Sequence, residues 1–223
     1  MSKVVFDIET RGVSFESLDK DQQEYLLKFA ETSEEEEEVK QRMALYALTG
    51  EVVAIGMLNI ETNKGVVYYQ NNNQGREEIS EGDILYKSGT EKEVLADFWQ
   101  AIKNYDQFIT FNGRGFDCPF LLMRSAILQV EPTKNLMPYR FSTEVHIDLL
   151  DQLTWQGAVR KFDLNFYCKA FGIKSPKDNG ITGLDVPVLY ADGKYLDIAK
   201  YCGDDLVATK ELYERWDKYI NLK

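Results

Sequence analysis

Short apolar runs separated by polar segments characterise the first half of the chain. A run rich in Val and Ile at residues 3–8, ended by Thr-Arg-Gly, predicts a buried first strand. Apolar runs at residues 51–60 and 65–69 predict two further strands, which turn residues at 63–65 join into a hairpin beside the first strand. The polar residues 70–89 are expected to form a loop.

Longer periodic segments in the second half predict helices that alternate with strands. Helices are expected at residues 91–104, 117–129, 162–171 and 196–219, and strands at residues 108–111 and 146–150. Gly172 is placed to end the third of these helices. This order predicts an α/β fold with a mixed sheet, antiparallel first strands and flanking helices.

The segment between the first strand and the hairpin is strongly acidic. Residues 17–47 have a helical composition and include glutamates at 34–38, whose like charges repel and favour a solvated face. We interpret about residues 11–43 as an acidic helical insertion. With 223 residues, 44% hydrophobic content and no Pro- or Ser-rich linker, the chain is predicted to form a single domain over residues 1–223.

The expected compartment follows from signals that the sequence lacks. It has no basic and apolar leader and no apolar run near the ~18 residues that a membrane-spanning helix needs, so an intracellular, soluble protein without a membrane partner is expected. Its three cysteines, Cys118, Cys168 and Cys202, are far apart and form no C-x-x-C motif. Neither a disulfide framework nor a thiolate zinc site is therefore predicted, and a reducing compartment is expected.

The net charge of −11 is concentrated in the first part of the chain. Residues 1–106 hold 11 Lys and Arg against 22 Asp and Glu, whereas residues 107–223 hold 15 of each. Within residues 160–177 the charge is +4, because Asp163 is opposed by Arg160, Lys161, Lys169, Lys174 and Lys177. This stretch is either an ordinary solvated face or a groove that follows a phosphate backbone, so the acidic total does not exclude nucleic acid.

Two acids interrupt the apolar first strand. Asp7 and Glu9 are two residues apart, so they project from one face of the strand while Ile8 points to the other. Burying an unpaired carboxylate costs several kcal/mol or more, which favours a metal-ligand role for Asp7. Glu9 has an alternative interpretation as a solvated residue at the strand end.

The last predicted helix carries an acid on its apolar face. Asp205 lies on the helical stripe that includes Cys202 and Leu206. Tyr201 is four residues earlier and shares this face, whereas Asp204 lies off the stripe and is expected to face solvent. A structural alternative is a tyrosine hydroxyl bonded to its neighbouring carboxylate without any ligand.

A glycine-containing loop precedes a further acid. Asp117 follows the loop 112–116 and stands before Cys-Pro-Phe at the start of a predicted helix. Taken singly, Asp117 is best interpreted as the N-cap of that helix. The G-x-G of the loop lacks the third glycine of a dinucleotide-binding motif and does not indicate NAD.

These acids belong to three motifs: F-D-I-E-T at residues 6–10, N-x-x-x-F-D at 112–117 and Y-x-x-x-D at 201–205. In order and type they resemble the motifs of the DEDD superfamily of exonucleases, in the DEDDy branch that carries the tyrosine. The sequence is similar to the exonuclease domain of family B DNA polymerases and to predicted stand-alone relatives of it. Supporting stretches are residues 48–56, 111–121 and 146–151.

The resemblance, which covers most of the chain apart from the acidic insertion and the predicted polar loop, implies a ribonuclease H-like (DnaQ-like) fold and 3'-5' exonuclease activity. It also implies two divalent ions, Mg²⁺ or Mn²⁺, that clamp the attacking and leaving oxygens of a phosphodiester. Their predicted ligands are Asp7, Glu9, Asp117 and Asp205. Tyr201 is predicted to orient the attacking water, since an ordinary pKa near ~10 keeps its hydroxyl protonated.

The implied substrate is the 3' end of a single-stranded nucleic acid, with DNA favoured over RNA, and the product is a nucleoside 5'-monophosphate. A single strand is implied because the terminal linkage must reach a recessed site. Thr10, Asn112 and Phe116 match positions beside the metals and are predicted to hold the terminal nucleotide. The pathway, any replication or repair partner and the oligomeric state stay open.

Several alternatives stay open on the sequence alone. His146 stands five residues before Asp151, the spacing of a rival branch with a histidine general base, although its place in a predicted strand favours a structural residue. A catalytically silent nuclease-like module that binds nucleic-acid ends or a polymerase is a second alternative, and a 3'-5' exoribonuclease is a third. An acidic calcium-binding protein is disfavoured because no D-x-[DN]-x-[DN]-G loop occurs.

Overall fold

A computed structural model describes residues 1–72 and 74–222 and places a seven-stranded sheet at the centre of the protein. The strands are β1 Lys3–Gly12, β2 Gly50–Asn59, β3 Gly65–Gln70, β4 Glu78–Glu81, β5 Ile84–Gly89, β6 Gln107–Thr110 and β7 His146–Asp148. Their order in the sheet is β4-β5-β3-β2-β1-β6-β7. The pairs β1/β2, β2/β3 and β4/β5 are antiparallel and the other three are parallel, which confirms the predicted mixed α/β sheet.

Helices cover both faces of this sheet. The α-helices are α1 Lys20–Leu27, α2 Ser33–Arg42, α3 Glu91–Ile102, α4 Asp117–Leu128, α5 Leu149–Leu153, α6 Leu164–Phe171, α7 Val186–Ala191 and α8 Tyr195–Tyr219. Three short 3-10 turns lie at Phe15–Ser17, Met43–Leu45 and Pro176–Asn179. Among the described residues, none of the helices has the length and apolarity needed to cross a membrane.

The alternation of β1 divides its side chains between two hydrophobic cores. Val5 belongs to the core under α8, together with Leu206 and other residues of that helix. Phe6 and Ile8 belong to the opposite core, which α3 and α4 cover. Because side chains alternate along a strand, Asp7 shares the α8 face with Val5. Asp7 is therefore half-buried on the side of the sheet that α8 covers.

The predicted polar loop at 70–89 is wrong, because the segment contains β4 and β5. β5 pairs in parallel with β3 from Gly65 to Gln70, and β4 adds an antiparallel edge. Tyr86 of β5 is 5% exposed and joins the core under α8. The surrounding polar residues concealed this short strand, which lies between β3 and β4. Residue 73, which falls in the same segment, is outside the described residues.

The predicted strand at 146–150 ends two residues early. Asp148 accepts hydrogen bonds from the backbone N–H groups of Leu150 and Asp151 at 3.0 and 3.3 Å, so its side chain caps α5 and the strand stops there. The helix predicted at 162–171 begins at Leu164 and ends where predicted, at Gly172, which has a left-handed φ of 67°.

The acidic segment is helical, as its composition indicates. Both α1 and α2 begin with a reciprocal capping box, in which Asp19 and Thr32 are the N-caps. The glutamates at 34–38 lie in α2, near its N-terminus, while Lys40 and Arg42 lie in its last turn. This distribution complements the helix dipole and offsets the repulsion between neighbouring glutamates. Neither α1 nor α2 buries a residue.

Candidate active site

The acidic pair of β1 sits where the pairing with β2 becomes irregular. Asp7 is opposite Gly56 and Glu9 is opposite Ala54, and the register shifts directly after Glu9. Ile8, between the two acids, is 4% exposed in the opposite core. β-Bulges re-aim side chains locally and are common beside active sites. The shift therefore interrupts the regular pairing of β1 with β2 directly after the acidic pair.

Helix α8 brings a third acid to this pair. Asp7, Glu9 and Asp205 each offer a carboxylate oxygen, and these atoms lie within 4.8 Å of one another. Glu9 and Asp205 are buried, at 7% and 8% exposure, and Tyr201 is buried beside Asp205. Asp204 is half-buried and instead accepts a hydrogen bond from the side chain of Asn179 at 2.6 Å. The helical stripe in the sequence thus correctly distinguishes Asp205, which joins the acids of β1, from Asp204, which does not.

Gly56 allows α8 to come this close to the sheet. A Cβ at this position would lie 2.7 Å from Cδ1 of Leu206 and 2.9 Å from Sγ of Cys202. The Cys202 thiol also lies 3.7 Å from the backbone carbonyl oxygen of Asp7. A side chain at 56 would collide with these side chains of α8, so this glycine makes room for the close packing of α8 that brings Asp205 to the acids of β1.

We expect Gly56→Ala to lower the free energy of unfolding by about 1–3 kcal/mol, because the added methyl group overpacks the contact with α8. Stabilisation by Mn²⁺ should weaken as well, because Asp205 moves away from the acids of β1. Thermal unfolding with and without Mn²⁺ measures both effects. Gly183→Ala is the matched control, since nothing lies within 4 Å of a Cβ there. Equal melting temperatures for the two variants would contradict the role of Gly56.

Asp117 does not cap α4, so the prediction of an N-cap is wrong. Phe116 is the N-cap residue, and no side chain caps that helix end. The carboxylate of Asp117, which is 3% exposed, accepts a hydrogen bond from the backbone N–H of Ile8 at 3.1 Å. β1 pairs with β6 as far as Val5. The Asp117 carboxylate therefore bonds a backbone N–H in the part of β1 that no longer pairs with β6. Asp117 thus lies beside the three clustered acids without belonging to that cluster.

Asp148 organises the loop that leads to Asp117. Its two carboxylate oxygens accept hydrogen bonds from the backbone N–H groups of Asn112 and Arg114, at 3.0 and 2.9 Å. Asn112 adopts a left-handed φ of 62°, and a Cβ at Gly113 would clash with a side chain of β6. The sequence reasoning did not assign a site role to Asp148. The signal was available, because Asp148 is an acid within a predicted buried strand, as Asp7 is.

The three predicted nucleotide-binding residues have different surroundings. Asn112 lines a cavity of about 360 Å³ that also exposes Asp205. Thr10 donates its hydroxyl to the backbone carbonyl of Ala44 at 2.7 Å. The Phe116 ring packs against another aromatic ring of α4, with centroids 5.5 Å apart. Of these three residues, Asn112 is the one that lines the cavity at the acidic cluster.

His146 is a core residue of β7. It is 1% exposed, its Nε2 atom hydrogen-bonds the Thr110 hydroxyl at 2.8 Å, and its ring centroid lies 4.3 Å from that of Phe108. Burial, with a smaller effect of Arg114, lowers the pKa of His146 to about 3, so the ring is neutral. Asp151 is buried and pairs with Arg140 at 2.8 Å. These contacts agree with the interpretation of His146 as a structural strand residue.

Burial raises the pKa values of all four predicted ligands, and repulsion from neighbouring acids adds to it. Burial is the largest cause for Asp7 and Glu9, whose pKa values lie well above the ordinary range, and the neighbouring acids add to it. Burial also raises the pKa values of Asp117 and Asp205 to about 7. A divalent cation would relieve this repulsion, and carboxylate oxygens are the ligands that Mg²⁺ and Mn²⁺ prefer. The donor set therefore fits such an ion.

Comparisons with known proteins agree with this fold. The family described as "Predicted 3'-5' exonuclease related to the exonuclease domain of PolB" matches residues 51–221. The family B DNA polymerase from the hyperthermophilic archaeon Pyrobaculum calidifontis has a similar fold, with a TM-score of 0.62 and 18% sequence identity. That match covers 96% of this chain and 24% of the polymerase chain, so the protein spans about a quarter of that polymerase. A search of curated protein sequences finds no match.

The family match covers more than half of the chain and includes the second and third sequence motifs. It begins after β1, so Asp7 and Glu9 lie outside the matched residues, and it is the folded sheet that brings them to Asp205. The structural likeness covers nearly the whole chain. The chain therefore belongs to the family of predicted 3'-5' exonucleases related to the exonuclease domain of PolB.

Proposed function

We propose that the protein is a metal-dependent 3'-5' exonuclease that hydrolyses the terminal phosphodiester of a single-stranded nucleic acid and releases a nucleoside 5'-monophosphate. The observation that carries the proposal is the cluster of Asp7, Glu9 and Asp205, whose carboxylate oxygens lie within 4.8 Å of one another. DNA is favoured over RNA as the substrate, because the family and the similar fold both relate the chain to DNA polymerases.

Each side chain of the site has a distinct part in the proposed reaction. Asp7, Glu9 and Asp205 would hold two divalent ions, Mg²⁺ or Mn²⁺, with Asp117 beside them. When bound, such ions stabilise negative charge on the attacking and leaving oxygens of the phosphodiester. Burial and the nearby carboxylates raise the pKa of Tyr201, so its hydroxyl stays protonated and would orient the attacking water.

The cavity beside the acids supports a single-stranded substrate. Its volume of about 360 Å³ is at the lower end of the ~300–1,000 Å³ range of small-molecule sites, which suits one nucleotide unit. Asn112 lines this cavity and would hold the terminal nucleotide. A base-paired end would have to unpair before its last linkage reached Asp205.

Degradation of labelled oligonucleotides tests the proposal directly. Single-stranded DNA and RNA, labelled at the 5' or the 3' end, are incubated with Mg²⁺ or Mn²⁺ and either wild-type protein or Asp7→Ala. A 5'-labelled ladder that shortens stepwise with wild type alone would establish 3'-5' polarity, and the relative rates would give the preference for DNA or RNA. Absence of metal-dependent cleavage by folded wild-type protein would instead favour a silent module that binds nucleic-acid ends.

Two substitutions distinguish the tyrosine and histidine branches. Tyr201→Phe is expected to slow hydrolysis by about 10²-fold or more, because the hydroxyl that orients the water is lost. His146→Gln should keep the rate within a few-fold of wild type, although its free energy of unfolding should fall because the buried contact of Nε2 with Thr110 is changed. Single-turnover rates and thermal unfolding measure the two effects separately. Loss of hydrolysis in the histidine variant alone would overturn the role of Tyr201.

A further inference from the structure

Two phenylalanines at the start of α6 are stacked beside the cavity. The rings of Phe162 and Phe166 are nearly parallel, at 15°, with centroids 4.4 Å apart. Phe162 lines the cavity that Tyr201 and Asp205 also line. Phe166 is 55% exposed. An aromatic surface thus continues outwards from the acidic end of the cavity into solvent.

Local helix chemistry explains Phe162, whereas the ring of Phe166 stacks on Phe162 and leaves about half of its surface exposed. Asp163 is the N-cap of α6, and its side chain accepts a hydrogen bond from the backbone N–H of Phe166 at 2.8 Å. Phe162, just before the cap, packs edge-on against Tyr167 with centroids 6.3 Å apart, as in a hydrophobic staple. Phe166 holds the third helical position, where Glu or Gln would complete a capping box. A half-exposed phenylalanine there contributes little to the helix end.

Basic side chains accompany these rings. The guanidinium of Arg160 lies 5.0 Å from the centroid of Phe162. Lys177 lines the same cavity, and its Nζ atom is 3.5 Å from the carboxylate of Asp163 in an exposed pair. The charge of Lys177 acts on Asp205, because it lowers the pKa of that carboxyl, although burial raises this pKa by more. Basic charge and aromatic surface therefore meet at the opening of the acidic site.

We infer that Phe162 and Phe166 form a stacking platform for a base just upstream of the 3'-terminal nucleotide, and that Lys177 contacts a phosphate of the same strand. The inference rests on the proposed function, because its occupant is the strand whose 3' end lies at the acids. Proteins that bind single strands combine basic grooves with aromatic rings on which bases stack. Since every base has a π face, this platform holds the strand without selecting a sequence.

Binding is measured separately from hydrolysis, so that the two proposals fail independently. In an Asp205→Asn background, in which hydrolysis of DNA is expected to be strongly slowed, fluorescence anisotropy gives the Kd of a labelled single-stranded DNA 10-mer. Adding Phe166→Ala should raise this Kd about 5- to 150-fold, the range for loss of one base–aromatic stack. Phe166→Tyr, which keeps the aromatic face, should restore the Kd to within about twofold.

Phe29→Ala is the matched control. Phe29 is 85% exposed and has the amino group of Lys28 5.3 Å from its ring centroid, but it does not line the acidic cavity. This substitution should leave the Kd unchanged. An abasic nucleotide placed at successive positions from the 3' end should remove the effect of Phe166→Ala at the position whose base stacks. Equal Kd values for the Phe166→Ala and Phe29→Ala variants, or no binding of the 10-mer at all, would overturn the platform.

Lys177→Ala provides a second readout that depends on charge. Removing one phosphate contact to a single strand should reduce the slope of log Kd against log salt by about 0.7, which Phe166→Ala should not do. Thymidine 5'-(p-nitrophenyl phosphate) has no upstream base, so its hydrolysis by protein that retains Asp205 reports on the acids alone. Phe166→Ala should leave that rate unchanged. Weakened 10-mer binding without hydrolysis of either substrate by wild type would support the platform and contradict the exonuclease.

Discussion

Asp205→Asn is expected to slow hydrolysis by about 10³-fold or more and, at the same time, to raise the melting temperature of the metal-free protein. The amide keeps the size of the carboxylate and still accepts a hydrogen bond beside Tyr201, but it is a poor ligand for a hard divalent cation. Metal stabilisation of the developing charge is worth several kcal/mol, and ~1.4 kcal/mol corresponds to tenfold in rate. Stability should rise because Asp205 repels Asp7 and Glu9, and this repulsion is removed.

Asp204→Asn is the control for this prediction. It removes the same formal charge one residue away, from a half-buried side chain that hydrogen-bonds Asn179. Its rate of hydrolysis should stay within a few-fold of wild type, and its melting temperature in EDTA should rise less than that of Asp205→Asn. If both variants kept wild-type rates, the acidic cluster would not be the catalytic centre. If Asp205→Asn lowered the melting temperature in EDTA, repulsion would not dominate the stability of the metal-free site.

The faces on which the acids lie could be predicted because each acid interrupts a pattern whose period is known. Alternation along the first strand placed Asp7 and Glu9 on one face, and the 3.6-residue period of the last helix separated Asp205 from Asp204. Neither period says how close β1 and α8 come to each other. That distance depends on Gly56, whose missing side chain makes room for α8. Glycine in a strand signals close approach, but the sequence does not say of what.

Asp117 shows how a distant partner can override a local rule. An aspartate before Cys-Pro-Phe is a good N-cap by local chemistry, and this predicted the wrong role. In the folded chain its carboxylate instead accepts the N–H of Ile8, 109 residues earlier, at the point where β6 no longer pairs with β1. β5 was missed for a different reason, because it is short and pairs locally only with the polar strand β4 across the turn at 82–83. Its other partner, β3, lies in parallel and is reached only in the folded sheet.

Without divalent metal, the acidic cluster is expected to lower the free energy of unfolding as the pH rises from about 4 to about 7. Burial raises the folded-state pKa values of Asp117 and Asp205 to about 7, whereas an unfolded aspartate titrates near ~3.9. Between these values the folded state binds more protons than the unfolded state, so these groups make the free energy of unfolding fall with rising pH. Asp7 and Glu9, also raised, act in the same direction.

The difference between wild type and Asp205→Asn isolates this effect from the other carboxylates. Glu93 and Asp106, whose pKa values hydrogen bonds lower, contribute the opposite slope, but they do so equally in both proteins. Urea unfolding in EDTA from pH 4 to 8 should therefore show wild type losing stability relative to Asp205→Asn as the pH rises, while Asp204→Asn follows wild type more closely. Parallel profiles for wild type and Asp205→Asn would mean that the buried acids do not repel as inferred.

Mn²⁺ should restore the stability that wild type loses as the pH rises. The effect should be stronger at pH 8 than at pH 5, because carboxylate ligands must be deprotonated to bind the ion. A metal concentration 100 times its Kd would raise the free energy of unfolding by about 2.7 kcal/mol. Asp205→Asn should gain much less, since it lacks one of the three clustered oxygen ligands. Equal Mn²⁺ stabilisation of the two proteins at pH 8 would place the metal elsewhere and remove the basis for a two-metal reaction at these acids.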